Sequence, residues 1–554
     1  MISLCRPVEV PRSRGAQVVG LGLLFLVILV FTNRHQWAAD ISRSADDCSY
    51  LSYALTLALD GDLDFSNEPV MQSSFSAHYG TPKHFYGPGL LAAPFVALFS
   101  VIDRWQGHPV IADHFTYVNS WSYFGFSFAV NFYFLLGLLL YCRGASLLGV
   151  RRSALFVVLV CVGSGVIYYV IARPRMAHGF EFFALALTLY ASIAMCQTQR
   201  RAWVLLCALG VFLTLAVRPS NVNVCWLPVT TALLLGCAGP AKQLRPGWFL
   251  APIAAAFLGL LLLFAVNLGV YDSIFPQLGK LYGHQRNVLP LPAQPSDLLP
   301  FLGTFVSLLP KLLHIYFGAE FGLLYTNPVL VFGVISLLLV LVNGWREGNR
   351  NQAILGGLLS LAYLALALAI ALIWRIPADS YGWRLLYALF PLCWLGYILC
   401  DMRLQSHSWL RNTLGTALLL LSLNGMIGAL LFTKSPALSY SFGINSFGIE
   451  NNKADDFNVN LLREMFSTRT WDTAVKDGLV GYVRKNIFIK HNSTRDLPKT
   501  PENPPVVGLW YCLLALLWVL FYTALIRSTM PRGPTGTRRQ QYPLNVAERS
   551  ICAE

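Results

Sequence analysis

Twelve apolar stretches, each long enough to cross a membrane, dictate what this chain can become. A bilayer core of about 30 Å needs roughly 20 helical residues. Runs of that size lie at approximately 15–32, 117–141, 153–172, 179–196, 202–217, 221–237, 249–269, 327–343, 352–373, 383–400, 411–432 and 506–526. Apolar residues make up 55% of the 554 positions and charged ones only 12%, with a mean hydropathy of +0.54. Such usage lies outside the soluble globular range and reads as an all-α polytopic membrane protein of about twelve transmembrane helices. The 13% aromatic content fits Trp and Tyr crowding two membrane interfaces.

One further run, "YGPGLLAAPFVALFSVI" at 86–102, is ambiguous on hydropathy alone. Loop charge decides it. With twelve spans and an inner N-terminus, Arg143, Arg151, Arg152, Arg200, Arg201, Lys242, Arg245, Arg346, Arg350, Arg403 and Arg411 all fall in inner connectors. A thirteenth span at 86–102 would flip every later loop against the positive-inside rule. The run is therefore expected to be an interfacial or re-entrant helix within the first outer loop. The net charge of +14 is spent on these topology signals, which leaves no groove for nucleic acid.

Both termini are then expected to be cytoplasmic, in the plasma membrane of a bacterium. A signal peptide ending near "WAAD" is the competing reading of the first span. The organisation expected is a transmembrane catalytic domain over 1–432, a small extracytoplasmic segment over 433–505, and a last span with a basic tail over 506–554. The long outer segments are 33–116, 270–326 and 433–505. Most of the twelve cysteines sit in or beside apolar runs, with no CxxC and no Cys/His metal spacing, so they read as buried thiols.

The first outer loop carries an unexpected density of acid. "SADDCSYLSYALTLALDGDLDF", Ser44 to Phe65, holds Asp46, Asp47, Asp60, Asp62 and Asp64. Leu51, Ala54, Leu55, Ala58 and Leu59 recur at helical spacing and predict an amphipathic helix lying on the membrane surface, stopped by Gly61. Ser44-x-x-Asp47 reads as a capping box, which accounts for Asp47 and leaves Asp46 unexplained. The aspartates at 60, 62 and 64 lack the Gly and Glu of a calcium loop and read as a solvated turn. Further ionisable residues collect on the same side: Lys83 and His84 in "TPKHFYGPG", Arg173, Arg175, His178 and Glu181 in "ARPRMAHGFEFF", Arg218 in "VRPSN", and Arg375, Asp379 and Arg384 in "RIPADSYGWRLLYALFP". Charge at the helix edge of a bilayer costs a few kcal/mol unless paired or hydrated. Singly, each Arg fits a snorkelling interface residue; together they suit an amphiphilic substrate with an anionic head.

In order and spacing these segments resemble the GT-C-fold membrane glycosyltransferases, a class that includes protein O-mannosyltransferases and the aminoarabinose transferases acting on lipid A. That class places an acidic pair, often Asp-Glu-x-x-Tyr, shortly after the first span; this chain has Asp46-Asp47-Cys48-Ser49-Tyr50. A Lys and a Pro-rich start to an interfacial helix follow in the class, and Lys83 with "YGPGLLAAP" is similar to them. "AHGFEFFALAL", "VRPSN", "FGLLYTNPVL" and "YGWRLLYALFP" extend the likeness over about residues 16–400. The chain departs from the pattern in having Asp47 for the second acid, a three-residue gap between Lys83 and Gly87-Pro88, and no large soluble domain.

The resemblance implies a GT-C-like bundle that moves a sugar from a polyprenyl-phosphate donor to a lipid, glycan or protein acceptor on the outer face. It implies Asp46 as general base with Asp47 as its partner. Lys83, Arg384, Arg218, Arg173 and Arg175 would be the cations for the donor phosphate, and His84, Tyr86, His178 and Tyr50 the contacts to sugar or acceptor. A divalent metal is compatible with an Asp pair and a phosphate, and no dedicated cage is visible in the sequence. Two other classes stay open: a transporter or lipid flippase, and an outer-leaflet polysaccharide polymerase or ligase.

Overall fold

The structure is a computed structural model that describes residues 14–32, 45–66, 77–78, 81–82, 84–107, 120–150, 152–238, 249–276, 309–317, 322–373, 384–432, 457–477 and 504–529. With no water in a bilayer core to satisfy backbone groups, apolar runs of this kind form helices, and each of the twelve is helical over most of its described residues. They are α1 Arg14–Phe31, α4 Trp121–Leu147, α5 Ala154–Val162 with α6 Val166–Ile171, α7 His178–Thr198, α8 Ala202–Val217, α9 Leu227–Ala238, α10 Leu250–Tyr271, α13 Pro328–Arg346, α14 Arg350–Ile373, α15 Phe390–Arg403, α16 Ser408–Leu431 and α19 Pro504–Thr529. Between them lie α2 Ala45–Leu55, α3 Gly87–Trp105, α11 Leu309–Phe317, α12 Leu323–Thr326, α17 Phe457–Met465 and α18 Thr468–Asp477. A two-residue antiparallel ladder, β1 Ala77–His78 with β2 Thr81–Pro82, is the sheet structure among the described residues. Nine of the described helices are long and apolar enough to cross a membrane, and two shorter apolar ones accompany them. The chain is an all-helical polytopic membrane protein.

Several spans are broken where the sequence weakens the helix. Gly163-Ser164-Gly165 separates α5 from α6, and Gly165 adopts φ 79°, a conformation cheap only for glycine. Pro219 restricts the preceding residue, so Arg218 is extended (φ −152°, ψ 103°) and α8 ends there. The chain then makes a 3₁₀ segment, Pro219–Trp226, before α9. A second 3₁₀ segment, Arg384–Leu389, precedes α15.

Helix directions follow from close contacts. Along α4 and α7, Val130 meets Gly179, Gly137 meets Phe182 and Gly144 meets Ile193, so the two run parallel. Thr188 meets Gly210 and Ser192 meets Cys207, so α8 runs back against α7. The start of α4, the start of α7 and the end of α8 therefore share one end of the bundle. Both ends of α3 meet that same end: Gly87 lies against the Ala216–Val217 backbone, and Asp103 caps the start of α4. Although α3 is long and apolar enough to cross, it does not run from one end to the other, in keeping with the interfacial helix expected from loop charge.

The cap on α4 is a buried carboxylate. Asp103 accepts from the backbone N–H groups of Trp121 (2.8 Å) and Ser122 (2.7 Å) and from the Ser120 and Ser122 hydroxyls (3.0 and 2.6 Å). Four donors replace its lost hydration, and the helix N-terminus adds favourable partial charge.

At the opposite end, Asp401 of α15 is buried between Arg152 (2.8 Å), ahead of α5, and Arg411 (3.1 Å) of α16. Arg152 also donates to the Arg411 carbonyl at 2.6 Å and stands 5.0 Å over the Phe156 ring. Gly415 leaves the guanidinium its room, since a Cβ there would lie 2.4 Å from Arg152 Nη2. Asp401→Ala strands two largely buried guanidinium groups and is expected to cost about 3–5 kcal/mol. Thermal unfolding in detergent checks this, and an unchanged midpoint would show the charges to be hydrated. Because Asp401 lies at the far end from the acidic pair, activity per folded molecule should be retained.

Candidate active site

The site is built at the bundle end where α2, the segment leading into α3, the α6–α7 connector and the end of α8 converge. Two acids in the first turn of α2 favour the helix through its dipole. The helix opens into a π turn over Thr56–Asp60 and stops at Gly61, where φ is 74° and the N–H reaches Thr56 O at 2.8 Å. The stop is the one expected, but the setting is not. Leu51, Ala54 and Leu55 are buried in the protein core, so the apolar face of α2 packs against α3 and the bundle, not on a membrane surface. Gly89 makes that packing close: a Cβ there would lie 2.3 Å from Tyr53 Cβ and 2.9 Å from both Ala54 N and Tyr50 O.

The adjacent aspartates have unlike surroundings. Asp46 is 30% exposed at its side chain and stands 3.1 Å from His84 Nε2, and His84 packs against the Tyr50 ring at 5.4 Å. Asp47 is 2% exposed and faces Arg173 at 3.8 Å and Arg175 at 4.0 Å. Burial works against charge on Arg173, yet the carboxylates of Asp47 and Asp46, with Tyr168 and Tyr169, outweigh it and hold the guanidinium more firmly charged than usual. Arg173 and Arg175 sit in the turn between α6 and α7, which the Pro174 break keeps out of either helix.

A second polar cluster lies across the mouth of α7 and α8. Glu181, buried in the first turn of α7, accepts from Asn221 Nδ2 at 2.8 Å and faces Arg218 Nη1 at 3.4 Å and His178 Nδ1 at 2.9 Å. Arg218 Nη1 is also 3.1 Å from His178 Nδ1. Tyr169 borders this cluster, its ring 4.1 Å from His178. Tyr387, in the 3₁₀ segment that begins at Arg384, packs on His178 at 5.5 Å.

Asp46, Asp47, Tyr50, His84, Arg173, Arg175, His178 and Arg218 thus come to one end of the bundle. Tyr86 is close by but turned inward: its hydroxyl donates to Asn267 Oδ1 at 3.2 Å, and burial pushes its phenol up. Lys83, Ser44, Arg375 and Asp379, and the side chain of Arg384, lie outside the described residues. The aspartate turn is exposed, and its carboxylates serve the backbone: Asp62 Oδ1 accepts from Asp64 N at 3.1 Å and Asp64 Oδ1 from Ser66 N at 2.9 Å. Sequence reasoning did not single out Asn221, although its place in "VRPSN", three residues past Arg218 at a helix break, was a usable signal. Among the described residues no three metal-ligating side chains converge. Asp47 meets its two guanidinium groups only at 3.8 and 4.0 Å, beyond hydrogen-bond distance, and its buried Oδ1 has no hydrogen-bond partner among the described residues.

No family model matches the chain, and no curated protein matches it. The chain is similar in structure to ArnT from Cupriavidus metallidurans in the apo state, at 11% identity over 93% of this chain and 77% of that one, with a TM-score of 0.40. The functional reading accordingly rests on the site. If Asp47 is held by its arginines, a double-mutant cycle of Asp47→Asn and Arg175→Gln, read by thermal unfolding, should give a coupling of about 0.5–3 kcal/mol. A coupling of zero would dismiss the pair.

Proposed function

We propose that the protein is a membrane glycosyltransferase that moves a sugar from a polyprenyl-phosphate donor to a hydroxyl acceptor. The observation that carries this reading is the unlike setting of the two adjacent acids. Asp46 is reachable and paired with a histidine, while its neighbour Asp47 is buried between two arginines. Adjacent carboxylates in unlike environments take unlike roles.

In the proposed reaction Asp46 accepts the acceptor hydroxyl proton as its oxygen attacks the anomeric carbon. The bond from that carbon to the phosphate oxygen breaks, and its electron pair leaves on the polyprenyl phosphate. A single displacement inverts the anomeric centre. His84, 3.1 Å from Asp46, orients the carboxylate and can share the proton. Asp47 fixes Arg173 and Arg175 against α2, so the start of that helix cannot drift. The developing phosphate charge falls to cations on the same end. Arg218, part-exposed and planar enough to hold phosphate by two N–H groups, is the described residue best suited to it. Lys83 and Arg384 complete the proposed set, and Tyr50 and His178 the contacts to sugar or acceptor. In this reading the site faces the extracytoplasmic side of a bacterial plasma membrane, where a lipid-linked donor is the available form of activated sugar.

Two features favour this reading over a transporter. The ionisable clusters of the site gather at one end of the bundle, whereas transported polar substrates are held near the midplane. The interfacial helix α3 also lies across that end, beside the buried Asp47. Purified protein with a labelled polyprenyl-phosphate-sugar extract is expected to transfer sugar. Asp46→Asn should lower the rate by a factor of about 10²–10⁴ with the fold intact. Equal transfer by both proteins would remove Asp46 from the chemistry.

A further inference from the structure

The motifs "HGFE" and "VRPSN" are 40 residues apart in sequence, yet they form a single buried unit whose purpose the proton transfer does not explain. Pro219 ends α8 and forces Arg218 into an extended conformation. The 3₁₀ turn that follows carries Asn221 back to Glu181 Oε1 at 2.8 Å, while Arg218 Nη1 approaches Glu181 Oε2 at 3.4 Å. One carboxylate oxygen thus anchors the backbone break, and the other faces the guanidinium that the break presents. Glu181 is 1% exposed and Arg218 17%, so the acid is out of reach of a substrate and the cation is not.

From this geometry we infer that Glu181 is a positioning residue that aims Arg218 at the carrier phosphate and offsets its charge, so that the phosphate departs after transfer. The inference rests on the donor class proposed above. A buried, unopposed guanidinium would hold a phosphate monoester tightly and make product release slow. A carboxylate 3.4 Å from the guanidinium reduces the field felt by the incoming phosphate. Asn221 and His178, hydrogen-bonded to the same carboxylate, keep it from rotating away.

The test is direct binding of polyprenyl phosphate to the full-length protein in nanodiscs, with uncharged polyprenol as control. Glu181→Gln keeps the shape and removes the charge. It is expected to tighten binding of the phosphate by about tenfold, the scale of one unit charge removed a few Å away in a partly screened site, and to leave polyprenol unchanged. In turnover, KM for the donor and kcat should fall together. Glu181→Asp, which keeps the charge but withdraws it by one methylene, should lie between wild type and Gln; should Gln fail to fold, Asp alone reads the same sign. A merely structural residue would weaken or spare phosphate binding, and either result in a folded variant overturns the inference. Wild-type protein that does not distinguish polyprenyl phosphate from polyprenol would instead overturn the donor reading, and this inference with it.

Discussion

A carboxylate buried in an apolar bundle costs several kcal/mol unless charge or hydrogen-bond donors replace its water, and four such acids decide how these helices sit. Asp103 ties α3 to the start of α4 through four donors. Asp47 ties α2 to the α6–α7 turn, Glu181 ties α7 to the break after α8, and Asp401 joins α15 and α16 to the residue ahead of α5. Apolar packing is non-directional and leaves registers of similar energy open; a buried acid with fixed partners closes them. Breaking such a pair is far costlier than never having had it, which makes these contacts strong determinants of arrangement.

Three of the four acids lie at the end where α3 spreads across the bundle, and they are linked in space. Asp103 fixes where α3 ends, and Gly87 and Gly89 fix where it begins, against α8 and α2. Any shift of α3 therefore moves α2, and with it the acidic pair. The "YGPG" sequence acquires a physical reason in this way: two residues without side chains let three helices approach to backbone contact. His84, three residues before Gly87, inherits its position beside Asp46 from the same arrangement.

The helices themselves were readable because length and hydropathy leave an apolar 20-residue run no alternative, and each of the twelve runs is helical over most of its described residues. Loop charge was sufficient to set α3 apart from them. Partners were harder to read. Asp103 and Asp401 are single acids at helix ends, indistinguishable in sequence from solvated ones, and each finds donors ten or more residues away. Tyr86 sits in a motif rich in candidate ligands, yet its hydroxyl is taken by Asn267, 181 residues on. The apolar face of α2 fits a membrane surface and a protein core equally well, because periodicity reports that a face is buried and not what buries it.

The acidic pair shows how one turn of helix can give two neighbouring acids unlike surroundings. Neighbouring residues on an α-helix point about 100° apart. With Asp47 directed into the bundle, Asp46 must emerge beside it, at the rim where His84 stands. The buried member faces two arginines from the α6–α7 turn, and that pairing fastens α2 under the exposed member. A lone aspartate at position 46 would have had the reach but not the fixed bearing. The pairing that makes Asp47 tolerable is thus the same pairing that gives Asp46 a defined place, as the proposed reaction requires of its base.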